Sequence, residues 1–140
     1  MNELTVRIRG GGVICTPPSP TLLTTYVLLE QEQWFEKEVG FVRRVLRTGM
    51  RAIDVGANYG IYTLALARAV GSTGAVWSYE PSSSTMALLQ RTVNLNELSQ
   101  VTTRQRALSN QHGTARLSLQ ANSELNALTT DPAINPKRSH

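Results

Sequence analysis

The first recognisable pattern has a period of two. Residues 4–8, LTVRI, alternate apolar and polar positions, as a half-buried strand does. GGG and TPPSP follow and read as loop. From about Tyr26 to Leu46 the period lengthens: Phe35, Val39, Val42 and Leu46 are spaced four, three and four apart and so share one helical face. Gly49 comes just after the last turn, where a left-handed cap residue is wanted. This helix is expected to cover an edge or a face of the main sheet.

Arg51–Val55 reads as a strand, and IYTLALARAV as a helix with Ile61, Leu64, Ala65 and Ala69 in one stripe. GSTG breaks it, and Ala75–Glu80 reads as a second strand. Pro81 and the serines after it mark the start of a second helix, with Met86, Leu89 and Val93 on its buried face. Residues 101–108, VTTRQRAL, read as a third strand, SNQHG as a turn, and TARLSLQ as a fourth strand, antiparallel or at an edge. The order strand–helix–strand–helix–strand requires parallel strands joined by right-handed crossovers. The expected fold is therefore α/β: an open, Rossmann-like, mostly parallel sheet with an N-terminal helical segment. Its expected organisation is an N-terminal strand and Pro-rich loop over 1–25, a ligand-binding domain over 26–120, and a loose polar tail over 121–140.

Composition narrows this picture only slightly. A chain of 140 residues, 41% hydrophobic, fits one domain with a real core. No uncharged apolar run approaches the roughly 18 residues of a membrane span, and MNELTVRIRGGG lacks an apolar signal core. A cytoplasmic protein without a membrane span is expected. The single cysteine, Cys15, reads as a bland small residue beside a Pro-rich loop rather than a catalytic thiol. The net charge of +4 is mild, and its densest cluster, Arg43, Arg44 and Arg47, falls at a predicted helix end, where it suits the dipole. No aromatic residues interleave with these cations, so no nucleic-acid partner is expected.

The chemistry lies at the carboxyl ends of the predicted parallel strands, where open α/β sheets bind ligands. The stretch Asp54-Val55-Gly56-Ala57-Asn58-Tyr59-Gly60 joins a strand to a helix. Such a junction offers free amides and a positive dipole end, and glycine permits close approach. Asn58 stands where the dinucleotide fingerprint needs its middle glycine, and no Gly-Lys-Ser or Gly-Lys-Thr follows as a P-loop would require. An acid beside the loop disfavours phosphate and favours a cation. S-adenosylmethionine, with a sulfonium, an ammonium and one carboxylate for the amides, suits these charges. Glu80 ends the second strand about twenty residues beyond Gly60, the spacing expected of a ribose-binding acid. Each feature also has a plainer reading: a tight turn for the glycines, a capping acid for Asp54, a solvated strand end for Glu80.

The same stretches carry a resemblance. DVGANYG, the YEP that ends the second strand, NLNEL and ALSN followed by a glycine resemble, in order, the FkbM-type methyltransferases, and the likeness covers approximately residues 28–120. The resemblance implies a class I, S-adenosylmethionine-dependent fold and methylation of a hydroxyl oxygen on a sugar, lipid or secondary metabolite. It implies that Asp54, Gly56, Ala57, Asn58 and Gly60 line the methionine part of the cofactor, with Tyr59 and Thr63 flanking it. Glu80 would hold the ribose, Pro81 and Ser82 would border the adenosine, and Arg106 and Ala107 would lie near the adenine.

The chain departs from the family after this point, because nothing matches its later acidic D-x-E-G motif. In a family sheet of order 3-2-1-4-5-7-6 only the first three strands are present, which leaves the strand at Asp54 on an edge. A truncated product, a fragment, or a chain completed by a partner or a second copy is expected, weak or inactive alone. A compact domain with TARLSLQ folded back as a cover is the alternative. No general base stands out: His112 sits in a turn, His140 is terminal, and no cluster has metal-ligand spacing. Two other functions compete, a non-catalytic nucleotide-binding or interaction module and a dinucleotide oxidoreductase.

Overall fold

The N-terminal residues form a hairpin in a computed structural model that describes residues 3–31, 37–118 and 127–129. Strands β1 (Leu4–Arg7) and β2 (Val13–Thr16) pair antiparallel, with Leu4 opposite Thr16 and Arg7 opposite Val13. The turn between them uses three glycines, Gly10 to Gly12, all at positive φ, where other residues are strained. The second strand was not expected: VICT lies between glycines and prolines, and the loop chemistry on both sides hides it.

The helical pattern read from about Tyr26 to Leu46 falls on two described helical stretches. These are α1 (Leu23–Gln31) and α2 (Lys37–Val45), with residues 32–36 outside the described set, so the face expected at Phe35 is not described. On α2 the expected Val39 and Val42 are half-buried, as is Leu46 just beyond. The helix packs on α3 rather than on the sheet. Arg47 donates to the carbonyls of Arg44 and Leu46, so the arginine cluster does serve the carbonyl end of α2. Gly49 does not cap this helix. Its N–H donates to Val70 O at 2.8 Å, the last turn of the next helix, and so joins that helix to the start of β3.

The centre is a parallel sheet of three strands in the order β3 (Arg51–Val55), β4 (Ala75–Tyr79), β5 (Val101–Arg104). Asp54 is level with Ser78 and Thr103, and Val55 with Tyr79 and Arg104. The third strand ends at Arg104, four residues earlier than expected. Helices α3 (Ile61–Val70) and α4 (Ser83–Leu95) cross between the strands. Ser82 caps α4, its hydroxyl accepting from Thr85 N, as the serine run implied.

The single stripe expected on α3 is too narrow. Thr63, Leu64, Ala65, Ala67 and Val70 are all buried, because the helix is covered on two sides. Ala67 and Val70 meet Val76 of the sheet. Leu64 packs with Val6, Ile14 and Cys15 of the hairpin, Leu28 of α1, Tyr59 and Leu88. That core joins residues on both sides of residue 25. On α4, Met86, Leu89 and Val93 are buried as expected, around Ala57. Hydrogen bonds fix the hairpin to α4: Val13 N donates to Asn96 Oδ1 at 2.9 Å and Cys15 N to Thr92 Oγ1 at 3.0 Å. Cys15 is fully buried, and burial pushes its thiol above the ordinary range.

TARLSLQ contributes β6 (Arg116–Ser118), which pairs antiparallel with β7 (Ala127–Thr129) in a separate two-stranded sheet. The antiparallel expectation holds, but the strand does not extend the main sheet, and β7 falls inside the stretch read as tail. The rest of that tail lies outside the described residues. Among the described residues no helix is long and apolar enough to cross a membrane.

Candidate functional site

The turn from β3 to α3 and the end of β4 meet at one place. Residues 52, 54, 76 and 78 share the helix-covered face of the sheet, because side chains alternate along a strand. On this face the buried Asp54 accepts a hydrogen bond from Thr63 Oγ1 at 2.6 Å, and Thr63 Oγ1 is 2.8 Å from Ser78 Oγ. Burial pushes the Asp54 carboxyl above its ordinary range; hydrogen bonds from Thr63 pull it back, and the neighbouring Glu80 pushes it up again. Ser78 was missed in the sequence. Its signal was parity: a polar residue between Val76 and Glu80 on the covered face.

Glu80 is just as enclosed. Its Oε2 accepts from Asn58 N at 3.0 Å and its Oε1 from Ser82 N at 2.9 Å. Each carboxylate is thus held by the protein, and they are near enough for the charge of Glu80 to act on Asp54. An ionised carboxylate has about four lone-pair directions, so each Glu80 oxygen keeps acceptor capacity beyond its one amide.

The amides of the glycine turn are not free, which corrects the expectation that they would receive a carboxylate. Gly56 N and Ala57 N both donate to Tyr79 O at 2.9 Å, Asn58 N to Glu80, and Gly60 N to Ala57 O at 2.9 Å. The cause is the parallel register: Val55 and Tyr79 are level, so the turn after β3 folds over the last carbonyl of β4. A side chain at Gly60 would put its Cβ 2.8 Å from Leu89 Cδ1. That glycine lets the start of α3 pack closely on α4. Gly56 differs: it is exposed, has φ +74°, and a Cβ there would meet no atom within 4 Å. It is the place in the turn where a ligand can come close.

The other expected site residues divide in the same way. Ala57 and Tyr59 are buried in two separate apolar clusters, and Thr63 is a buried clip between helix and sheet. Asn58 is half-buried with φ 49°. Ser82 is a buried helix cap and Pro81 is half-buried beside it. Arg106 and Ala107 are exposed beyond the end of β5, and Arg106 N turns back to Arg104 O at 2.9 Å.

One edge of the site is open. Among the described residues β3 has a neighbouring strand on one side only, and Ile53 and Val55 are 61% and 62% exposed. They point to the face opposite Asp54. Among the described residues β3 is thus an apolar edge strand, as was expected for the strand at Asp54.

No family model matches the chain, and no curated protein does. Solved structures resemble it. Trm5b of Pyrococcus abyssi is 16% identical, with 74% of this chain covering 28% of that one at a TM-score of 0.54. A proposed transferase of Pyrococcus horikoshii is 14% identical, with 76% covering 37% at 0.57. A SAM-dependent O-methyltransferase of Thermotoga maritima is 28% identical, with 74% covering 40% at 0.49. The chain spans well under half the length of each of these. At such identities the first two establish the architecture, and the chain accordingly has an α/β, Rossmann-like fold built on a parallel sheet with helices crossing between its strands.

Proposed function

We propose that the chain is the cofactor-binding part of a class I, S-adenosylmethionine-dependent methyltransferase, of the FkbM type that its motifs resemble. The observation that supports this most is the pair of neighbouring buried carboxylates, Asp54 and Glu80, at the strand ends beside the exposed Gly56. A diphosphate needs free amides at the helix start, so the occupied turn argues against a dinucleotide more strongly than Asn58 did. A sulfonium nucleoside is cationic and carries ribose hydroxyls that a carboxylate accepts from. The donor set fits that group, with Glu80 toward the ribose and Gly56 as the point of close approach. When bound, S-adenosylmethionine supplies a methyl group on an electrophilic sulfur. The chain's residues bind and orient it: Asn58 and Ser82 hold the Glu80 carboxylate in place, and Thr63 and Ser78 hold Asp54. Positioning of this kind contributes on the order of 7–11 kcal/mol when both reactants are in place.

The acceptor we propose is a hydroxyl of a sugar, lipid or secondary metabolite, and the chain alone is weak or inactive. The uncovered β3 edge supports the second part, since parallel strands are ordinarily covered on both faces. It equally favours a module completed by another polypeptide. Titration calorimetry tests the first reading. S-adenosylmethionine and its demethylated product should bind with one site per chain, and NAD should not. Tighter binding of NAD overturns it.

A further inference from the structure

A cavity of about 540 Å³ opens between the hairpin turn, α2 and α3. Five cations line it, Arg9, Lys37, Arg43, Arg44 and Arg68, and no carboxylate does among the described residues. Ile8, Val39 and Ile61, all half-buried, give it an apolar side, with the core beneath. None of the site residues discussed above lines it. The one salt bridge among the described residues, Arg91 to Glu3, is elsewhere.

Gathering like charges without a counter-charge among the described residues is unfavourable. Arg68 registers this: burial, then the charge of Arg43, lowers its pKa. Its guanidinium is nonetheless fixed, because it donates to Gly11 O of the hairpin turn. The turn that holds it has its three glycines at positive φ, and a Cβ at Gly12 would also press on Asn96 Oδ1 at 2.7 Å. Arginine forks recognise phosphate oxygens two at a time. The volume is within the usual range of small-molecule sites, roughly 300–1,000 Å³.

We infer that this cavity binds a small amphiphilic organic phosphate, its anionic group among Arg43, Arg44 and Arg68 and its apolar part against Ile8, Val39 and Ile61. A phosphate monoester carries about 1.5 to 2 negative charges at neutral pH, which matches several cations better than one carboxylate does. The inference is independent of what the turn at Gly56 binds.

The test is calorimetry on the full 140-residue chain with dodecyl phosphate, dodecyl maltoside and inorganic phosphate, the detergents kept below micelle formation. Saturable binding of dodecyl phosphate is expected, with the other two at least roughly tenfold weaker. Arg43→Gln with Arg44→Gln should weaken it by roughly tenfold or more, while Arg51→Gln on the exposed β3 edge should leave it unchanged. Arg43 and Arg44 are exposed, so folding should survive, and circular dichroism verifies this. Equal affinity for dodecyl maltoside overturns the anion site, and equal affinity for inorganic phosphate overturns the apolar part. Tighter binding of a short RNA oligonucleotide that is lost in the Arg43→Gln, Arg44→Gln variant, with no saturable binding of dodecyl phosphate, assigns the cations to a nucleic-acid surface and overturns the proposal as a whole.

Discussion

The main-chain N–H of Asn58 donates to Glu80 Oε2 at 3.0 Å, tying the turn after β3 to the end of β4 across 22 residues. The other Glu80 oxygen accepts from Ser82 N, at the start of α4. One side chain thus orders three segments that a ligand at the strand ends must contact. Glu80→Ala should remove both bonds and leave two enclosed amides unpaired, at about 1–3 kcal/mol of stability each in the worst case. Urea unfolding measures this. If Glu80 also holds ribose hydroxyls, calorimetry should show S-adenosylmethionine affinity falling by a further 1–3 kcal/mol equivalent, roughly, at a temperature where the variant is folded. Unchanged affinity in a folded variant would take Glu80 out of the ligand site.

The two glycines of the turn should respond differently to alanine. At Gly60 the added Cβ meets Leu89 Cδ1 at 2.8 Å and Thr92 Cγ2 at 3.2 Å, at φ +96°. Overpacking there should cost about 1–3 kcal/mol on top of the left-handed backbone penalty. At Gly56 the Cβ meets nothing, so only the backbone penalty of about 1–2 kcal/mol applies. Ligand binding should show the opposite order, since the Gly56 methyl occupies the approach. Thermal denaturation and calorimetry on the two variants decide it, and a Gly56→Ala protein with full affinity would place the ligand elsewhere.

Asp54 gives a pH dependence with a definite sign. Its carboxyl titrates above the ordinary 3.8 in the folded chain, first because of burial. The folded state therefore holds the proton more tightly than the unfolded state does. The corresponding stability is fully present below 3.8 and is lost as pH rises through the folded value. Asp54→Asn should abolish that loss, so the variant's stability relative to wild type should increase with pH across this window. A cation bound nearby favours the ionised form. S-adenosylmethionine affinity should accordingly fall as pH drops through the same window, and that of the uncharged-sulfur product should fall less. Parallel pH profiles for both ligands would count against a sulfonium close to Asp54.

The hairpin is attached to α4 through few groups. Asn96 accepts from Val13 N at 2.9 Å and donates to Val13 O at 2.7 Å and Thr92 O at 2.6 Å. Asn96→Ala should cost about 1–3 kcal/mol. It should also speed amide exchange at Val13 while Val76, in the sheet, keeps its relative protection. Uniform acceleration across the chain would mean that the hairpin and sheet open as one unit.

The parallel strands and their crossing helices were legible because strand, glycine break and helix alternate cleanly from Arg51 to Leu95. β2 was not, because VICT is four residues long and flanked by turn chemistry on both sides. Periodicity found the stripe of α3 that meets the hairpin but missed Thr63, Ala67 and Val70, since a helix between two layers has no polar face to set the phase. That Asp54 and Glu80 lie at the ends of adjacent strands was legible from the strand–helix–strand order. The fate of the loop amides did not: that Tyr79 O takes two of them depends on strand register, which no local pattern encodes.

The exposed edge is the last point at which sequence and structure make the same demand. Ile53 and Val55 lie on the uncovered face of an edge strand whose outward N–H and C=O groups have no neighbouring strand in the described sheet. An apolar edge of this kind is a template for pairing with another chain. Ile53→Lys places a charge on the edge at a solvent-exposed position, so its effect on stability should stay within about 0.5 kcal/mol. Its effect on association should be larger: the wild-type chain should self-associate with rising concentration in sedimentation velocity, and the variant should remain at its lowest species over the same range. Identical sedimentation of the two would count against the β3 edge as a self-association surface.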